Sequence, residues 1–77
     1  MLEYEIIEKY KAGVSKYKSF RKKIIEVLKS ESPDGKTITG ENLGNILTGK
    51  YTRLSAKQKE WLVKANDAMD KVMASMK

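Results

Sequence analysis

Apolar residues recur along this chain at steps of three and four, in four runs separated by polar corners. Leu2, Ile6 and Tyr10 stand four apart with Ile7 beside them, which predicts a short amphipathic helix over residues 2–12. Glu3, Glu5 and Glu8 precede Lys9 and Lys11, the favourable order for the helix dipole. Gly13 is placed to end that helix in a left-handed conformation, with Val14 as the apolar residue beyond it. Ser15 is expected to cap a second helix over 15–30. Its stripe is Tyr17, Phe20, Ile24, Val27 and Leu28, widened by Ile25.

The segment SESPDGKT breaks the pattern, and Ser-Pro-Asp-Gly suits a type I turn. Ile38 before Thr39, with Leu43 following, fits a hydrophobic staple on a third helix over 39–48 that stops at Gly49. Ser55 and Gln58 form a capping box for a fourth helix over 55–75. Trp61, Leu62, Ala65, Met69, Val72 and Met76 give it a sustained stripe. No β-alternation, internal repeat or low-complexity tract interrupts this reading. The expected fold is all-α, a compact four-helix domain occupying residues 1–77.

Length bounds that picture. A chain of 77 residues has room for one core, and buries only about 60–65% of its unfolded surface. It contains no cysteine and no histidine, so disulfides and Cys/His zinc sites are excluded, along with the usual general base and thiol nucleophile. No apolar run reaches the ~18 residues needed to cross a bilayer. The start, MLEYEIIEKY, is acidic before it is basic, the wrong order for a signal peptide. A cytoplasmic protein without a membrane partner is expected. The net charge of +6, with pI near 9.6, favours a polyanionic partner.

One constellation gives the charge a more specific meaning. The pairs Ile38-Thr39, Leu43-Gly44, Ile46-Leu47, Gly49-Lys50 and Leu54-Ser55, in that spacing, resemble the C-terminal half of the Cro-like phage-repressor helix-turn-helix family. The earlier stretch IIEKYKAGVSKYKSFRKKI is similar to the family's first helix, Gly-x-Ser corner and second helix, so the resemblance spans most of residues 2–70. Two positions depart from it. SESPDGKT is longer than the family's three- or four-residue turn, and Lys16 stands where Gln or a small polar residue is usual. The resemblance implies a helix-turn-helix-like core, binding to double-stranded DNA and a third helix that reads the major groove.

On that helix Leu43, Ile46 and Leu47 would face the core, while Gly44 allows close approach of a neighbour. Thr39, Glu41, Asn42, Asn45 and Thr48 are left as candidate base contacts. Asn pairs with adenine N6 and N7, Thr touches a thymine methyl, and Glu accepts from cytosine N4. Lys16, Lys18, Lys36, Lys50 and Arg53 sit near element ends and are candidate phosphate contacts. The run from Lys9 to Lys23 holds seven cations and no acid, a second route to nucleic acid that needs no sequence preference. Its interleaved Tyr10, Tyr17 and Phe20 stand at helical spacing and are expected in the core.

Trp61, Met69, Met73 and Met76 offer anchors on the fourth helix for a partner or a homodimer. The alternative to DNA binding is a protein-binding modulator, such as an antirepressor or an inhibitor of a host factor, on the same scaffold. The long turn, Glu41 and the shortage of cations on the third helix favour that alternative. Catalysis has no support: no carboxylate pair stands in an apolar setting, and Gly35-Lys36-Thr37 lacks the upstream glycine and strand of a phosphate loop. No metal, cofactor or enzymatic activity is expected.

Overall fold

A computed structural model describes residues 2–75, the side chain of Leu2 excepted. The chain forms α1 (Leu2–Lys16), α2 (Phe20–Glu31), α3 (Gly40–Leu47) and α4 (Ala56–Ser75). Among the described residues there is no strand. The all-α, four-helix expectation holds. Helix α4 is the hub: it packs most extensively on α2 and also meets α1 and α3.

The core draws on every helix. Ile6 and Tyr10 come from α1, Phe20, Ile24 and Leu28 from α2, and Leu43, Ile46 and Leu47 from α3. Helix α4 adds Leu62, Ala65, Ala68, Met69 and Val72. Fully burying one large apolar side chain contributes roughly 1.5–3 kcal/mol. The fully buried Ala65 and Ala68 keep α4 narrow where its neighbours come close. Ion pairs fasten the outside. Lys9 Nζ bonds Asn66 Oδ1 at 2.7 Å and Asp70 Oδ1 at 2.8 Å, joining α1 to α4, and Lys71 pairs with Glu31 to join α4 to α2.

The first corner differs from expectation. Helix α1 does not stop at Gly13 but runs on to Lys16, and Ser15 lies inside it and caps nothing. Gly13 is there for space: a Cβ at that position would come within 2.3 Å of the Phe20 ring. The chain turns through Tyr17–Ser19 instead, with Ser19 left-handed at φ 58° and making no side-chain cap bond. Tyr17 stacks on Phe20 at 5.8 Å between ring centroids, and Tyr10 meets it at 6.2 Å, so the aromatics of the basic run pack as expected.

The other signals hold. The turn closes with Gly35 N–H donating to Ser32 O at 3.1 Å. Asp34 accepts from Ser32 Oγ at 2.6 Å and from Lys36 N–H at 3.0 Å, and those bonds hold its carboxyl below the ordinary aspartate range. In the capping box of α4, Gln58 N–H donates to Ser55 Oγ at 3.2 Å, while Ser55 N–H donates to Gln58 Oε1 at 2.8 Å. No helix among the described residues is long and apolar enough to cross a membrane.

Candidate nucleic-acid interface

Helix α3 is only eight residues long, too short to persist without its caps and its buried side. Thr39 Oγ1 accepts from Asn42 N–H at 3.2 Å, fixing the first turn. At the other end Gly49 takes φ 76°. Its N–H reaches Ile46 O at 3.4 Å while Lys50 N–H reaches Asn45 O at 3.3 Å. Those two bonds make a Schellman stop, which only a residue at ease with positive φ allows. Leu43 and Leu47 are fully buried and Ile46 nearly so, which holds the helix down on α4 and its neighbours.

The candidate base contacts do not form one continuous face. At about 100° per residue, Glu41, Asn45 and Thr48 share the sector opposite the buried stripe. Glu41 and Thr48 are exposed and Asn45 is half-buried. Thr48 Oγ1 donates weakly to Asn45 O at 3.4 Å. Thr39 and Asn42 lie on the flank. They line an open groove with Lys36, Tyr51, Lys57, Trp61 and Lys64. The hydroxyl of Thr37, buried and without a hydrogen-bond partner, belongs to the same groove.

A second open groove lies where the α1–α2 corner reaches Gly40 of α3. Tyr10, Tyr17 and Phe20 line it together with Lys18, Arg21 and Lys22. Arg21 extends from the start of α2 onto α3: a Cβ added to Gly44 would stand 2.9 Å from its Nη1, and one added to Gly40 would stand 3.7 Å from its Nε. The close approach expected at Gly44 is therefore made by a side chain rather than by a helix backbone. Burial pushes the Tyr10 phenol up, and the nearby Arg21 charge works against that rise.

The phosphate candidates are dispersed around α3. Lys18 belongs to the α1–α2 groove and Lys36 to the groove on the opposite flank. Lys50 follows the Gly49 stop and is exposed. Lys16 ends α1, with Nζ 5.5 Å from the centroid of the Tyr17 ring. Arg53 is set apart, lining a small recess with Glu3, Ile7 and Lys59. Sequence reasoning left Arg21 in the basic run without linking it to α3, and gave no role to Lys57 or Lys64. The available signal was the Gly40–Gly44 spacing, which puts two bare positions on one edge of the helix.

The partner surface on α4 needs correction. Met69 is completely buried in the core and offers nothing to a second molecule. Met73 and Trp61 are half-buried against that core, and Lys64 Nζ lies 4.7 Å from the Trp61 ring centroid. Met76 lies outside the described residues. The long turn noted in the sequence before the third helix is present in the fold. Ser32–Thr39 separates α2 from α3 by eight residues, and the three-residue connection is the one between α1 and α2. A tight helix-turn-helix uses three or four residues between its first helix and its recognition helix. Among the described residues no group of acidic side chains is placed to hold a metal ion. Comparison with known proteins returns no matching family model, no matching curated protein and no matching solved structure.

Proposed function

We propose that this protein is a small sequence-specific DNA-binding regulator of the phage-repressor type, with α3 entering the major groove. One observation carries the reading: a short helix with a polar outer face is flanked on both sides by basic grooves. Lys18, Arg21 and Lys22 lie on one side, and Lys36, Lys57 and Lys64 on the other. The sequence puts no cation on α3 itself, and the fold brings them from the neighbouring elements. A helix in a groove with cations on either side is the arrangement that two phosphate backbones require. Asn45 and Asn42 would read adenine, and Glu41 cytosine N4. Pairing of two copies on adjacent half-sites belongs to the proposal, through a surface that excludes Met69.

A protein-binding modulator on the same scaffold is the second reading. Glu41 favours it, being exposed where a carboxylate meets phosphate repulsion, and so does the eight-residue link before α3. Selection from a randomised duplex pool at near-physiological salt separates the two. An enriched motif supports the regulator. Retention without enrichment moves the activity to the basic run, and no retention leaves the protein-binding reading.

A further inference from the structure

We propose that Arg21, delivered from α2 and seated on Gly40 and Gly44, is the residue that reads guanine at the edge of α3. This inference rests on the DNA-binding reading and names a specificity determinant within it. The sequence gives α3 no side chain suited to guanine, because the usual reader of its O6 and N7 is an arginine or lysine. The fold supplies one from the adjacent helix.

Arg21 lies along the two positions of α3 that lack a Cβ, four residues apart and therefore one turn from each other. A Cβ at position 44 would stand 2.9 Å from its Nη1, so the guanidinium would have to shift. The bare edge lets this long side chain lie along α3, and a side chain already laid toward its target has less freedom to lose on binding. Arg21 is also unspent: it is exposed, and no carboxylate among the described residues lies within ion-pair distance of it. Lys9, in the same basic run, is by contrast consumed by Asp70 and Asn66.

A guanidinium that only met phosphate would need no seat, and a lysine would serve nearly as well. Bidentate recognition of guanine depends on the planar fork, so an Arg-to-Lys exchange separates the two roles. The experiment runs the same duplex selection on the full chain as wild type, Arg21→Lys and Gly44→Ala, with thermal melts of all three. The wild-type motif is expected to contain a position at which guanine is preferred about 5- to 150-fold. Arg21→Lys flattens that position and leaves the salt dependence on unrelated duplexes unchanged. Gly44→Ala melts no lower than wild type, since only the far end of a flexible side chain must give way, and flattens the same position.

If Arg21→Lys enriches the same motif as wild type, Arg21 reads no base and the inference fails while DNA binding stands. If Gly44→Ala alone keeps the guanine preference, the glycine seat plays no part and the positioning half of the proposal is lost. If wild type enriches no motif, the DNA reading and this inference fall together.

Discussion

Gly13 and Gly44 each sit inside a helix and each faces a side chain from the start of α2, yet the two places behave oppositely. At Gly13 the neighbour is the Phe20 ring, buried, stacked on Tyr17 and tilted against Tyr10, with nowhere to go. At Gly44 it is the guanidinium of Arg21, exposed and attached through a flexible stem. The first glycine serves packing, and the core depends on it. The second leaves room for a charge beside the surface helix, and stability does not need it. The α1–α2 corner is thus closed by core packing, while the edge of α3 carries an exposed guanidinium.

The comparison can be broken at its rigid end with the largest effect. Phe20→Ala empties the space that Gly13 and both tyrosines enclose, and costs about 3–5 kcal/mol. Urea melts should show little native population in so small a domain. Gly13→Ala keeps the ring but overpacks it. The strain of about 1–3 kcal/mol exceeds the helix propensity gained, so the melting temperature falls. A Phe20→Leu background should recover part of that loss.

On the α3 side, Asn45→Ala is expected to leave the melt nearly unchanged and to cost about 1–3 kcal/mol on a specific duplex. Lys50→Ala should weaken all duplexes alike and lower the salt slope by about one unit. If neither substitution alters DNA binding, α3 is not the reader. Gly44→Ala sharpens the contrast from the stability side, raising the unfolding free energy by up to about 1 kcal/mol, the opposite sign to Gly13→Ala.

The smallest effect lies in the loop before α3. Asp34 has its carboxyl pKa lowered by the Ser32 hydroxyl and the Lys36 N–H. Its contribution to loop order is complete above the ordinary aspartate pKa and is lost as pH falls through the lowered one. Carboxyl chemical shifts of Asp34 followed through an acid titration check both the direction and the window. A midpoint at or above the ordinary value contradicts it.

Local chemistry was readable in the sequence wherever both halves of an interaction are close in the chain. The Thr39 cap, the Gly49 stop and the Ser55–Gln58 box each span a few residues, and all three form as expected. Gly13 was misread because a glycine near a helix end carries the same local signal whether it stops the helix or admits a neighbour. What decides is Phe20, beyond the next turn. Met69 belongs to a stripe that was legible, but which of its positions stay uncovered depends on how α4 meets three other helices. Arg21 beside Gly44 is a tertiary pairing: the Gly40–Gly44 spacing marks a bare edge on α3, but not which side chain covers it.

The most direct test of the account is a ¹H–¹⁵N NMR titration of the full chain with the duplex that selection enriches. The account predicts that the largest shifts fall on residues 39–50 and on the Arg21 side chain, with smaller ones at Lys18, Lys36 and Lys57 on the two flanks. Shifts confined to the outer surfaces of α1 and α4, with α3 unperturbed, would contradict it.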